Sequence, residues 1–255
     1  MAYDLIGDVH GCIDELTALL NRLGYKLDQH ADGTLDAAPP PGRTLIFLGD
    51  LVNRGPDTPA VLRLVMSLVK TRVALALAGN HDVTLAEALR GNPVTKPESL
   101  VESLTQLRDE PESFRRQVAV FIEGLPRRLR LDDGRLIVAH AGLPLEYHGL
   151  EDSAEADEFA VFGRRVPDGN GQMVRYRWAN DYQGAAAVAY GHYSGLRAEW
   201  LNGTICIDTG CVYGGSLTAL RYPERDLVSV PASRVYYHSA RSDQFRAAAA
   251  ELASA

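Results

Sequence analysis

An α/β fold is what this chain predicts, and three observations carry the prediction. Six short apolar runs have the length of strands, amphipathic helical patterns lie between them, and each run gives way at once to polar side chains. Nearly continuous apolar runs bounded by glycine are the pattern of buried strands. The first run, Ala2-Tyr3-Asp4-Leu5-Ile6, leads into Gly7-Asp8-Val9-His10-Gly11. Residues 44–48 lead into Gly49-Asp50, and 73–77 into Gly79-Asn80-His81-Asp82. Residues 136–139 lead into His140, 186–190 into Gly191-His192, and 204–207 into Asp208. Open α/β sheets bind ligands outside the carboxyl ends of their strands, so a shared site is expected there.

The intervening helices follow from periodicity. Residues 13–23 place Leu16, Leu19, Leu20 and Leu23 on one face and stop at Gly24. Residues 59–69 carry the stripe Val61, Leu62, Val65 and Leu68. Segment 98–123 is amphipathic and charged, and predicts two or three helices within an insertion spanning about 84–125 near the site. The proline-rich stretch 38–42 reads as a surface loop. Residues 143–178 are irregular and rich in charge and glycine, more loop or cap than core. The alanine-rich tail 244–255 reads as a terminal helix.

With 255 residues, 46% of them hydrophobic, residues 1–255 are expected to form one domain with an inserted cap. No run approaches the roughly 18 apolar residues of a membrane span, and the start lacks the basic and apolar regions of a secretory signal. Cys12, Cys206 and Cys211 are an odd count without a zinc-type C-x-x-C, so a reducing cytoplasm is the expected location. A net charge of −7 opposes an extended nucleic-acid footprint, which needs a basic stripe. It leaves room for a small phosphate ester met by a local cluster of metal and arginine.

Taken singly, the polar strand-end residues have commoner roles: Asp or Asn beside Gly forms turns, and one histidine is usually a hydrogen-bonded structural group. Those roles do not explain why each one follows a strand. Together, Asp8, His10, Asp50, Asn80, His140 and His192 combine carboxylate, amide oxygen and imidazole. That mixture suits manganese, iron or zinc; it holds neither thiolate nor an all-oxygen calcium loop. Six donors exceed one tetrahedral ion and suit two ions sharing a carboxylate, a pair that polarises phosphoryl oxygens and lowers the pKa of a shared water.

The ordered set GDVHG (7–11), GDLVNRG (49–55), GNHD (79–82), AHAG (139–142) and GH (191–192) resembles the calcineurin-like metallophosphoesterases. The likeness is to the branch holding phosphoprotein phosphatases and diadenosine tetraphosphate hydrolases. IDTGCVYGGSLTALRYPERDLVSVP (207–231) and VRYRWANDYQG (174–184) are similar to bacterial diadenosine-tetraphosphatase-like enzymes, and equally to the phosphatase module of bacterial polynucleotide kinase-phosphatases. The resemblance implies two mixed β-sheets in a sandwich flanked by helices, with a di-metal site at the strand ends. It implies that Asp8, His10 and His192 hold one divalent ion, Asn80 and His140 the other, and that Asp50 bridges them. Manganese leads, with iron, zinc, nickel or cobalt accommodated by the same donors. Arg54 would contact the substrate phosphate, Arg175 would be a second phosphate contact, and His81 would protonate the leaving oxygen. Asp208 would orient a ligand from behind, while Cys12 and Cys211 read as packing residues. One departure stands out. The family usually has Asp where this chain has Asn53, and an amide gives the imidazolium of His81 no counter-charge, so a lowered His81 pKa is expected.

The activity this implies is metal-dependent hydrolysis of a small phosphorylated substrate by direct water attack, with dinucleoside polyphosphates leading and simple monoesters or 2′,3′-cyclic phosphates also open. Conversion of diadenosine tetraphosphate to two ADP would mark a symmetrical cut. The alternatives are a protein phosphatase acting on a phosphoprotein, and RNA-end repair, which would need a separate kinase partner because no G-x-x-x-x-G-K-[ST] loop is present. From another class comes a non-catalytic metal-binding protein, disfavoured because all six donors, His81 and Arg54 are retained.

Overall fold

The computed structural model describes residues 1–29, 35–95 and 97–253. The strands are β1 (Ala2–Ile6), β2 (Lys26–Gln29), β3 (Leu35–Ala38), β4 (Arg43–Phe47), β5 (Ala74–Ala76), β6 (Arg128–Leu131) and β7 (Leu136–Ala139). They continue with β8 (Arg165–Pro167), β9 (Met173–Arg175), β10 (Ala187–Tyr190), β11 (Trp200–Leu201), β12 (Thr204–Cys206), β13 (Ser216–Tyr222) and β14 (Asp226–Pro231). The helices are α1 (Ile13–Leu23), α2 (Thr58–Lys70), α3 (Asn80–Leu89), α4 (Val101–Arg108), α5 (Glu112–Glu123), α6 (Ala154–Phe162) and α7 (Ala240–Ala253).

Two five-stranded sheets, β14-β13-β1-β4-β5 and β11-β12-β10-β7-β6, make a mixed α/β sandwich. Side chains alternate across each strand, which sorts the apolar runs into layers. Tyr3, Leu5, Ile46 and Leu48 point inward from the first sheet and meet Leu136, Val138, Ala189 and Ile205 of the second. The outward residues of the first sheet, Ile6, Leu45 and Phe47, pack with Leu16, Leu20, Val61 and Leu62 of α1 and α2. On the far side, Ile137, Val188 and Tyr190 pack with Phe159, Ala160 and Trp178. The runs are therefore nearly continuous in apolar residues because both their faces are covered.

Parallel pairing sets the strand ends level. β1 pairs with β4 in register Leu5↔Ile46 and Ile6↔Phe47, so Asp8 and Asp50 emerge side by side. β10 pairs with β7 and β12 in the same way, Val138↔Ala189 and Tyr190↔Cys206, which levels His140, His192 and Asp208.

The six expected strands and the helices over 13–23 and 59–69 are all present. Segment 98–123 holds a 3₁₀ turn (Pro97–Leu100) followed by α4 and α5. Residues 143–178, expected as loop or cap rather than core, contain α6 and the β8–β9 hairpin, and Leu143, Tyr147 and Phe159 are core residues. Local charge and glycine hid a short apolar stripe that covers the outer face of the second sheet. Strands β13 and β14 were not expected either, since Ser216–Tyr222 mixes polar and apolar residues. Thr218 and Ser229, across the pair, bond through their hydroxyls at 2.8 Å. Of the tail 244–255, residues to 253 continue α7, and the last two lie outside the described residues.

Leu5 is fully buried between the sheets, so Leu5→Ala is expected to cost about 2–5 kcal/mol in urea denaturation. Leu227→Ala, at an edge position 41% exposed, is expected to change stability by less than about 0.5 kcal/mol.

Candidate active site

The carboxyl ends of β1 and β4 and of β10 and β12 meet along one edge, where the residues that follow them form a polar cleft. Asp8, His10, Asp50, Asn80 and His192 line it, and fully buried His140 lies beneath. The backbone bends sharply to present them. His10, Asp50, Asn53, Arg54 and His192 all have left-handed φ, between 46° and 73°, a conformation costing about 1–2 kcal/mol for a residue with a Cβ. Main-chain bonds between the two turns hold it: His10 N donates to Asp50 O at 2.8 Å and Gly11 N to Leu51 O at 2.9 Å. Gly55 is obligatory here, because a Cβ would sit 1.7 Å from His10 O. Asp57 then caps α2 by accepting from Ala60 N at 2.9 Å, fixing the exit of the Arg54 loop.

Each imidazole is oriented by the main chain. His10 Nδ1 lies 2.8 Å from Val52 O and His140 Nδ1 3.0 Å from Leu48 O. A carbonyl only accepts, so both rings are protonated at Nδ1 and turn Nε2 toward the cleft. His140 Nε2 is 3.4 Å from Asp50 Oδ2 and 3.2 Å from Asn80 Oδ1. His10 Nε2 is 3.7 Å from the same Asp50 oxygen. Two groups of donor atoms result, His10–Asp50–His81 and Asp50–His140–His192, each lying within 4.8 Å and sharing Asp50.

The resemblance groups His192 with Asp8 and His10; in the fold its ring falls on the other side, with Nδ1 2.8 Å from Asn80 Oδ1 and 3.3 Å from His140 Nε2. Only its backbone N–H reaches Asp8, at 3.1 Å. The left-handed turn at His192 swings the ring away from β1, a detail that chain order does not encode.

The buried carboxylates and imidazoles of the cleft shift one another strongly. Burial, then Asp208, pushes Asp8 well above the usual carboxylate range. Burial also pushes Asp50 upward, but His140 and His81 together outweigh it and hold Asp50 well below that range. Burial lowers His140, yet Asp50 and Asp8 overcome it and hold the imidazole up at about 10. His10 is driven well down, by burial first and by Arg54 next, and His192 by burial and then His140.

Asn53 is fully buried, with its Nδ2 2.8 Å from His81 Nδ1 and its Oδ1 without a partner. Turning the amide over lets Oδ1 accept from His81 Nδ1–H, the tautomer left when Arg54 donates to Nε2. Arg54 Nη2 donates to His81 Nε2 at 2.7 Å, and Nη1 to His10 Nε2 at 2.9 Å. Burial lowers His81 to about 4, with Asp50 opposing and Arg54 adding to the fall, so the ring is neutral at pH 7.

Arg175 reaches the cleft and donates to His192 O at 3.1 Å, with its guanidinium 5.3 Å from the Tyr193 ring. Asp208 lies at the cleft wall and accepts from Gly210 N at 3.0 Å. Cys12 and Cys211 are buried in the core under the sheet. Sequence reading missed Ser103, which accepts from Asn53 N at 2.8 Å and ties α4 to the Arg54 loop. It missed Tyr213, whose ring faces Arg54 at 5.5 Å, although Tyr213 lies within the quoted stretch 207–231. It also missed Arg241 at the start of α7, which no motif marks.

A two-sheet sandwich whose strand ends gather imidazole, carboxylate and guanidinium groups defines a phosphoesterase-type hydrolase. The chain belongs to the calcineurin-like phosphoesterase family, whose profile matches residues 1–228; the family implies divalent metal ions. It is 38% identical to the bis(5′-nucleosyl)-tetraphosphatase PrpE [asymmetrical] of Anoxybacillus flavithermus, over 92% of this chain and 96% of that one. The protein of the same name from Bacillus subtilis is 38% identical, over 94% and 98%. Among solved structures, one carrying the provisional name diadenosine tetraphosphatase superposes with a TM-score of 0.66 and 26% identity, covering 91% of this chain and 93% of that one. A serine/threonine phosphatase from Saccharomyces cerevisiae shares the fold, with a TM-score of 0.59 at 14% identity over 94% and 82%.

Replacing Asn53 with aspartate places a negative charge against the His81 ring. Asn53→Asp is expected to raise the His81 pKa by about one unit or more, read by NMR titration of the imidazole. An unchanged titration would mean that Asn53 does not govern this ring.

Proposed function

We propose that this protein hydrolyses bis(5′-nucleosyl) tetraphosphates with the aid of two divalent metal ions, cutting the four-phosphate bridge unequally into a nucleoside triphosphate and a nucleoside monophosphate. The observation that carries the reading is the cleft itself, where metal-type donors face Arg54 and Arg175. Among the described residues, neither guanidinium has a carboxylate partner. The near-full-length similarity to enzymes named for that reaction adds the substrate class and the asymmetry. Symmetrical conversion to two ADP is therefore replaced as the leading outcome. The cytoplasm is the proposed location, in keeping with the free thiols of Cys12, Cys206 and Cys211.

The residues fit the metals by donor chemistry: imidazole nitrogens fixed by carbonyls, an amide oxygen and carboxylates converge without a thiol among them. Asp8, His10 and Asp50 would hold one ion, and Asp50, Asn80, His140 and His192 the other, with manganese as the first candidate. When bound, the ions supply Lewis-acid polarisation of the phosphoryl group and a water acidified for attack. Arg54 then leaves the lone pairs of His10 and His81 for phosphate oxygens, which a guanidinium matches two at a time. Its departure, together with the arrival of the anionic substrate, favours a proton on His81 Nε2, from which the leaving phosphate oxygen takes it. Asn53 keeps the other ring nitrogen in place, and Asp208 orients the groups around Asp8.

The test is product analysis after metal loading with diadenosine tetraphosphate, p-nitrophenyl phosphate and a phosphopeptide. ATP and AMP in equal amounts support the reading; two ADP would overturn the asymmetry, and preference for the phosphopeptide would reassign the enzyme to phosphoproteins. Asp50→Ala is expected to abolish turnover while leaving a folded chain by circular dichroism. His81→Ala is expected to lower kcat by about 10²–10⁴, and less with p-nitrophenyl phosphate, whose leaving group needs little protonation.

Metal uptake must displace a proton from His140, whose imidazole is held up at about 10. Apparent metal affinity is therefore expected to rise with pH, with proton release seen by calorimetry in buffers of different ionisation enthalpy. Metal removal by a chelator should lower the melting temperature, because only the folded chain assembles the donors.

A further inference from the structure

The third guanidinium of the cleft belongs to no motif. Arg241 stands in the first turn of α7, half-buried, and donates through Nη1 to Ser194 O, two residues beyond His192. Several arginines of this chain are matched by carboxylates: Arg43 by Asp4 and Glu224, Arg63 by Glu110, Arg90 by Glu123, Arg128 by Asp157. Arg54, Arg175 and Arg241 are among those that are not, and what sets them apart is their place. They line one cleft, and among the described residues none has a carboxylate within ion-pair distance. Three guanidinium groups without a direct ion pair, beside the carboxylates Asp8, Asp50 and Asp208 that bound divalent ions would neutralise, mark a place shaped for an anion in a protein of net charge −7.

The helix that presents Arg241 is held to the cleft by a specific contact. Phe245, one turn further on and 6% exposed, lies flat against Tyr213 with ring centroids 6.4 Å apart and planes 10° off parallel. It fits there because Gly210 and Gly215 leave room: a Cβ would come within 2.1 Å of the ring at Gly210 and 2.6 Å at Gly215. The loop that carries Asp208 and Tyr213 is thus also the seat of α7.

We propose that Arg241, presented by the C-terminal helix, forms with Arg175 a subsite for the phosphates of the bridge beyond the one under attack, and so selects polyphosphate over monoester substrates. This rests on the function proposed above. The phosphoryl group of a monoester has three non-bridging oxygens and one within the bridge has two, few enough for the metal ions and Arg54 to satisfy when bound. Further guanidinium donors gain partners only when further phosphates are present, and each bidentate pair adds charge-assisted hydrogen bonds. Phe245 is a positioning residue, acting through the placement of α7.

The test compares two substrates in the metal-loaded full chain. Arg241→Ala is expected to lower the ratio of kcat/KM for diadenosine tetraphosphate to that for p-nitrophenyl phosphate at least tenfold, chiefly by raising KM for the dinucleotide. Arg241→Lys should restore part of the ratio, and Phe245→Ala should lower it in the same direction without removing a charge. The dinucleotide KM should rise more steeply with salt in the parent than in Arg241→Ala. An unchanged ratio, or a loss equal for both substrates, would overturn the proposal. A parent that does not cleave the dinucleotide would defeat the functional reading instead. The subsite would then be judged by inorganic tripolyphosphate, at saturating metal, as a competitive inhibitor of p-nitrophenyl phosphate hydrolysis: a Ki raised at least tenfold in Arg241→Ala supports it, and an unchanged Ki overturns it.

Discussion

Burying Asp8, Asp50 and Asp208 together where two sheets meet is the constraint on which the rest of this structure depends. Each is 6% exposed or less, and like charges at such a place repel while each loses its hydration. The fold answers with one main-chain N–H for each carboxylate: His192 N to Asp8, His81 N to Asp50 at 2.9 Å, and Gly210 N to Asp208. A fourth buried acid, Asp82, accepts from Gly79 N and Leu51 N, both at 2.9 Å, and staples the GNHD turn to the GDL turn. Burial, then Asp50, raises Asp82 to about 7, so even this structural carboxylate feels the crowding. The same amides that relieve the acids position the histidines beside them.

This arrangement explains why the turns are left-handed. A strand that ended in ordinary extended backbone would carry His10 or His192 onward, away from the cleft. Reversing φ at the strand tip turns the side chain back over the edge, and the neighbouring turn supplies the hydrogen bonds that make the bend tolerable. Glycines fill the remaining contacts: a Cβ at Gly191 would lie 2.0 Å from Asp8 Oδ1. The short spacing of the sequence motifs is therefore a packing requirement as much as a chemical one.

Much of this was legible in the sequence, and for a physical reason. Strands covered on both faces must be apolar throughout, so 44–48, 136–139 and 186–190 announced themselves, and the polar residues after them marked the edge. What stayed hidden depends on partners distant in sequence. Asp4 sits inside an apolar run yet is fully buried, because Arg43 and Tyr25 reach it at 2.9 and 3.1 Å. Residues 143–178 looked like a loop because the residues that cover the second sheet, Leu143, Tyr147, Phe159 and Trp178, are spread among charges. The side on which His192 falls was set by one backbone torsion, and no spacing rule reports that.

The fold by itself does not choose a substrate, since a serine/threonine phosphatase at 14% identity shares it. The donors and Arg54 would serve any phosphoryl group, and all of them lie inside residues 1–228, the stretch that the family profile matches. Arg241 and Phe245 lie beyond that stretch. Selectivity would then be an addition at the carboxyl end of the chain, docked through an aromatic stack and two glycines onto a loop that the shared chemistry already required. Such a division is physically economical: the acidic, strained edge tolerates little change, whereas a helix laid against it can vary its charge without disturbing the buried network.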